Sequence, residues 1–368
     1  MRLRIGILLS GMAIAIATPA LNAAESCSPE PETSAIQRSL SLIQASLTEY
    51  PRHVSCFSCH HQGVSMLALS LARSCGYRVD EKVMEAAARH TEADLRGDIE
   101  LYRSGKGQPG GVTRAGYALL ALRSGGVKRD DVTAAVTGFL LKSKEEQGYW
   151  NTSANRPPSE MSAFTDTFVA IRALNAYGED AQKDAAKTRI VRALRWLETA
   201  PTKDTEDRVF RLWALAEAGA AAGALKKASA ELLDQQREDG GWAQLPGADS
   251  QSPGAASDAY ATGSALTALC LAGGLSPHNT AFERGIKYLL RTQEPDGSWH
   301  VVSRSKPFQP YFESGFPHGK DQFISMAASG WATAALILKS RARAETGLDS
   351  AKTSTAFVTP NQPTPRVR

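Results

Sequence analysis

The chain has 368 residues, 42% of them hydrophobic and 22% charged, with 42 basic side chains against 38 acidic ones for a formal charge of +4. A chain of this length buries a large core, while a nearly balanced charge with no basic stripe and no recognised motif gives nucleic-acid binding no support. No linker-like segment interrupts the middle of the sequence, which predicts one large helical domain.

In chain order, Arg2 and Arg4 precede an apolar run from Ile5 to Ala17, and small residues follow at Ala20 to Ala24. That is the layout of a secretory signal peptide over residues 1–24, so the mature protein is expected in the periplasm or outside the cell. No later stretch reaches the ~20 apolar residues of a spanning helix, so no stable membrane span is expected.

Next comes C-F-S-C-H-H at Cys56 to His61. A C-x-x-C-H run in an exported protein reads first as an attachment site for haem c. Thiols three residues apart share a helical face and can each bond a haem vinyl group, and His60 can turn beneath the ring to ligate iron. A Cys56–Cys59 disulfide, or zinc held with the adjacent histidines, is the alternative. The sixth iron ligand is expected from His318 or Met326, because His and Met are the usual choices in electron-transfer haem proteins. Cys27 and Cys75 can tie the N-terminal arm to the domain, while Cys270 reads as an ordinary core thiol.

The remainder is a repeat. Apolar, Ala-rich runs at 66–72, 118–122, 169–174, 212–216, 265–271 and 331–338 each follow an amphipathic segment, at 36–50, 79–95, 130–142, 185–197, 225–236 and 281–290. This predicts six helical hairpins with the Ala-rich helices inside, where small side chains let backbones approach, and six pairs can close into a ring. Aligning the Ala-Leu pairs places His61, Arg114, Asp166, Asp207, Ala261 and Ala328 in one column at the mouth of the cavity. The alternative for Asp166 and Asp207 is that they only cap helix N-termini. Asp207 with Arg208, and Asp166, Asp258 and Asp321, are the carboxylates available for sugar chemistry at that mouth. The Thr-, Pro-, Ser- and Arg-containing tail, residues 342–368, lacks periodicity and is expected to be disordered.

The segments Q-R-E-D-G-G-W (Gln236 to Trp242) and Q-E-P-D-G-S-W (Gln293 to Trp299), each leading into an Ala-rich run, resemble the QW-type repeats of squalene-hopene cyclases and protein prenyltransferase β subunits. E-Q-G-Y-W (Glu146 to Trp150) is a weaker copy. The resemblance is strong over residues 225–340 and weaker over 55–220, and it implies the all-α (α/α)6 toroid of that superfamily, here residues 25–341. The family's catalytic signatures do not carry over. The D-x-D-D acid of class II terpene cyclases does not occur, and the nearest match to the D-x-C zinc pair of prenyltransferases is Asp258, Ala259, Tyr260. The toroid register places C-F-S-C-H-H at the start of the first inner helix, facing the cavity, with Tyr260 and its neighbours in the same register of the fifth repeat. Ring closure also brings up the insertion Val301 to Gln322, whose Phe308, Tyr311, Phe312, Phe316 and His318 can cover a flat apolar macrocycle. Three readings result. One is an exported toroid carrying haem c, serving a redox partner or sensing a ligand. Another is a terpenoid- or sugar-processing enzyme whose Cys/His cluster holds zinc or a disulfide. The third is a non-catalytic toroid that binds a partner or a small apolar ligand.

Overall fold

The structure, a computed structural model, describes residues 31–355 apart from 153, 250, 308 and 309, without the side chains of His60 and of 346–355. The signal peptide, Cys27 and Phe308 lie outside the described residues. Six hairpins follow in order, each an outer helix leading to an inner one: α1 (Pro31–Glu49) to α2 (Val64–Ser74), α3 (Glu81–Gly97), with the short α4 (Ile99–Arg103), to α5 (Gly111–Ser124), and α6 (Asp131–Lys142) to α7 (Ala163–Tyr177). The second half repeats the pattern with α8 (Lys183–Thr199) to α9 (Thr205–Glu217), α10 (Ala222–Leu233) to α11 (Ala259–Leu271), and α12 (Thr280–Thr292) to α13 (Gln322–Thr355). Inner helices touch in the cyclic order α2, α5, α7, α9, α11, α13 and back to α2, so the all-α toroid closes.

Composition explains which helix goes where. In α11 every residue from Ala259 to Leu269 is buried, whereas α12 buries one stripe, Phe282, Gly285, Ile286, Tyr288 and Leu289, and leaves its charges in water. Small residues set the spacing of the inner ring. A Cβ on Gly263 would stand 2.5 Å from the Ala332 nitrogen, and one on Gly330 would stand 2.9 Å from Val64 Cγ1, so two of the ring's contacts require glycine.

The QW-type segments are clamps between hairpins. Gln236 Nε2 donates to the carbonyls of Gly240 (2.9 Å) and Ala281 (2.8 Å), and Gln293 Nε2 to those of Gly297 (3.1 Å) and Ala35 (2.9 Å). Gly240 and Gly297 turn the chain at φ 90° and 94°. The indoles of Trp150, Trp242 and Trp299 then donate to the carbonyls of Leu140, Leu232 and Leu289, each on the preceding outer helix. Gln293 therefore joins the sixth repeat to the first, and Thr333 Oγ1 donating to Ser39 Oγ at 2.7 Å fastens the same seam inside.

The last helix differs from expectation in two ways. Segment 319–345 is long and apolar enough, by length and composition, to cross a bilayer, which the sequence reading did not expect, but 89% of an 18-residue apolar window within it is buried inside the ring. The tail expected from residue 342 begins inside this helix, which continues to Thr355; residues 356–368 lie outside the described ones.

Candidate functional site

A cavity of about 530 Å³ opens at the end of the ring where the inner helices begin. Cys56, Phe57 and Cys59 form one wall, Arg114, Arg156 and Glu160 another, and the insertion crosses the top with Ser305, Pro307, Tyr311 and Phe312. Phe312 packs edge-on against Tyr50 and Phe323, with ring centroids 5.9 and 5.6 Å apart. Of the residues expected around one space, Cys56, Cys59, Tyr311 and Phe312 line the cavity, whereas Phe316 is buried in the core and does not.

The chain reaches this wall through a π-helical turn, Cys59–Gly63, ahead of α2. The turn is locked by its neighbours: the Ser58 amide donates to Gln62 Oε1 at 2.7 Å and the His61 amide to Ser58 Oγ at 3.3 Å. A π-turn is uncommon and marks functional positions more often than ordinary helix does. Cys59 is buried, its sulfur 4.0 Å from the Thr113 carbonyl, and burial pushes its thiol pKa well up, so it stands as a neutral thiol. Cys56 is half-buried, and His90 Nε2 on α3 lies 3.2 Å from its carbonyl. Among the described residues, both cysteines, Cys75 and Cys270 are free thiols.

Other expected residues sit elsewhere. His61 stacks on Tyr50 at 4.5 Å and places Nε2 3.1 Å from Ser46 Oγ, so it belongs to the packing of α1 on α2 rather than to the cavity. His318 does not line the cavity; it stacks on His300 and meets Ser298 Oγ at 2.8 Å. Met326 is fully buried in the core. These positions offer no sixth ligand to an iron in the cavity. Arg208 lines a separate surface pocket of about 390 Å³ beside Lys227 and Glu231. Asp258 caps α11, accepting from the Ala261 amide at 2.9 Å, and its carboxyl is pushed up to about 6, chiefly by desolvation. Asp321 reaches both the cavity and His300, 3.0 Å away.

Asp166 and Asp207 are not the caps of their helices; Ser162 and Asp204 fill that role. Instead each links neighbouring inner helices. Asp166 Oδ1 accepts from Thr113 on α5 at 2.5 Å, and Asp207 Oδ1 accepts from Ser162 at 2.7 Å. Burial lifts the Asp166 carboxyl to about 7 against the pull of the Thr113 hydroxyl.

The residue that sequence reasoning missed lies between them. Glu206 is buried in the inner ring, where Oε1 accepts from Thr165 on α7 at 2.8 Å and from Tyr260 on α11 at 3.4 Å. Desolvation pushes its carboxyl up to about 8, against the opposing Thr165 bond, so it holds a proton at neutral pH. Among the described residues, Glu206 Oε2 and the Tyr117 hydroxyl are buried without a hydrogen-bond partner. Such orphans call for bound water or a ligand. Burial, then the charge of Glu206, raises the Tyr117 hydroxyl in the inner ring, with Cys59, Asp166 and Glu160 adding to it. The rings of Phe210, Trp213 and Trp331 pack together there, 5.6 to 6.2 Å apart. A signal for Glu206 was present: Asp204, Thr205, Glu206 and Asp207 read D-T-E-D, the D-x-D-D spacing with one methylene added in the third place.

A family model of the squalene-hopene cyclase C-terminal domain matches residues 205–330. Drimenyl diphosphate synthase of Streptantibioticus cattleyicolor is 32% identical over 219 residues, covering 54% of this chain and 37% of that one, so the chain spans well under half of that relative. Among solved structures, an unsaturated glucuronyl hydrolase from Bacillus sp. GL1 is similar at TM-score 0.54 and 14% identity, over 86% of this chain and 97% of the other. A protein from Actinoplanes gives 0.52 and 14% over 84% and 99%. A variant of a type II terpene cyclase from Scytonema gives 0.50 and 15% over 84% and 98%. At such identities the structural likeness speaks for fold alone. The chain is an all-α toroid of terpene cyclase-like fold, with squalene-cyclase-like sequence in its C-terminal half.

Proposed function

We propose that this toroid is a general-acid enzyme acting on an apolar, terpenoid-like substrate, with Glu206 as the proton donor. The observation that carries this reading is a buried carboxyl, bonded by Thr165 and Tyr260 and pushed up to about 8 by desolvation, in a centre lined by Tyr117, Tyr260, Phe210, Trp213 and Trp331. Glu206 gives its proton to an alkene carbon, and the carbocation that forms is stabilised by the faces of the aromatic rings. Loss of a proton from a neighbouring carbon, or capture of water, completes the reaction. Neutral Glu206 is what binding an uncharged polyene requires, because an ionised carboxylate beside hydrocarbon would be costly. The relative named as a drimenyl diphosphate synthase supports a polyprenyl substrate class. The test is product analysis after incubation with farnesyl diphosphate and with squalene. Cyclised product from the wild type, reduced at least about 100-fold in Glu206→Gln, supports the reading; equal turnover by the variant overturns it.

A second reading is favoured by the wall of the cavity. Cys56 and Cys59 both line it, with Tyr311 and Phe312 across from them, and this supports the reading of C-x-x-C-H as a covalent haem site. Each thiol S–H would add across a vinyl C=C, forming a C–S bond and placing the hydrogen on the other carbon, with no net oxidation. The protein would then transfer electrons or sense a ligand, and this use depends on export. The check is a Soret band that survives acid-acetone extraction of protein made in a haem-attaching, exporting host. Loss of normal attachment in Cys59→Ala supports it, and a colourless wild type sinks it.

A further inference from the structure

We propose that Glu294, His300 and His318 form a binding site for a divalent transition-metal ion, zinc foremost, that closes the base of the insertion over the cavity. One ligand atom from each of the three lies within 4.8 Å of the others. Two imidazoles and a carboxylate are a donor set that zinc accepts, with a fourth position for water. The surroundings match what a metal site needs beyond its ligands. The two rings lie nearly parallel, 4.6 Å apart at an interplanar angle of 10°. Asp321 Oδ2 holds His300 Nε2 at 3.0 Å, and Ser298 Oγ holds His318 Nε2 at 2.8 Å. Outer partners of this kind fix the tautomer and orientation of a ligating imidazole, and they leave Nδ1 of each ring as the nitrogen for the ion.

The site's place in the chain indicates its role. Glu294 stands in the QW-type turn after α12, His300 follows Trp299 directly, and His318 ends the insertion just before α13. The segment between the two histidines supplies Ser303, Ser305, Lys306, Pro307, Tyr311 and Phe312 to the cavity. An ion shared by His300 and His318 ties the two ends of that segment to each other and, through Glu294, to the ring. Closing a loop at its base limits the conformations available to its tip. Metal binding here would therefore set the shape of the cavity's cover while leaving the Cys56–Cys59 wall and Glu206 untouched.

The experiment uses the full mature chain, stripped with a chelator and titrated with Zn²⁺ against a competing chromophoric chelator. One equivalent is expected to bind, with Glu294→Gln, His300→Gln and His318→Gln each weakening it at least about 10-fold and Asp321→Asn weakening it about 10- to 100-fold. The double variant Cys56→Ser, Cys59→Ser should bind as the wild type does, which separates this site from the cysteine motif. Hydrogen exchange across 301–317 should slow when Zn²⁺ is added. Should the histidine variants fail to fold, the Co²⁺ spectrum of the wild type decides: nitrogen and oxygen ligation supports the site, and a thiolate charge-transfer band contradicts it. Absence of stoichiometric binding, or binding lost in the cysteine variant and kept in folded histidine variants, would overturn the proposal.

Discussion

Glu206 is a carboxyl held out of water, where its Oε1 accepts from the hydroxyls of Thr165 and Tyr260. The D-x-D-D pattern is absent, yet D-T-E-D sets Glu206 on the first turn of α9, buried among Thr165, Tyr260 and the inner aromatic rings. No sequence pattern states how deeply a carboxyl is buried, and it is burial that raises Glu206 to about 8 and Asp166 to about 7. The linkage has a definite sign. Both groups hold protons in the folded state over a range in which the unfolded chain has released them. Their favourable contribution is complete below the unfolded values of about 4.5 and 3.8 and is lost as pH rises through about 7 and 8. Thermal unfolding from pH 5 to 9 should show Tm falling toward alkaline pH, and Glu206→Gln should flatten that fall. The cysteine motif illustrates the complementary limit: the toroid register implied by the repeat resemblance put Cys56 and Cys59 at the cavity, whereas the π-turn and the burial of Cys59 depend on Gln62, Ser58 and the packing of α5.

At the scale of the element, hairpins were legible because their two helices differ in kind. Charged amphipathic segments became the outer helices close to the expected limits, and the Ala-rich runs lie inside α2, α5, α7, α9, α11 and α13, which mostly begin earlier than the runs do. The QW-type segments also acted as expected, with Gln on main-chain carbonyls, the turn at Gly and Trp beneath. What the pattern could not show is that the same Gln also reaches the next outer helix. Gln293 makes two such bonds, one of them across the ring seam, so Gln293→Ala should cost about 1 to 3 kcal/mol at 0.5 to 1.5 kcal/mol for each hydrogen bond. Urea titration measures it, and a loss below about 0.5 kcal/mol would show the clamp to be unimportant. His318 and Met326 were misplaced for an elemental reason: side-chain direction in a long insertion, and in a helix buried on all faces, is not encoded in periodicity.

For the whole molecule, closure of the ring has two chemical consequences. It encloses a centre where carboxyls lose water and keep their protons, and it brings the sixth repeat's insertion over the first repeat's cysteines. The cavity wall and the buried acids are linked through Thr113, which meets the Cys59 sulfur with its carbonyl and Asp166 with its hydroxyl, and through Thr165, the neighbour of Asp166 in α7, which bonds Glu206. The most direct measurement is an infrared pH titration, wild type minus Glu206→Gln, following the carbonyl stretch of a protonated carboxyl. A difference band that persists at neutral pH and disappears only near pH 8 is the predicted result. A band already lost by pH 6 would show Glu206 to be an ordinary carboxylate and would contradict the account.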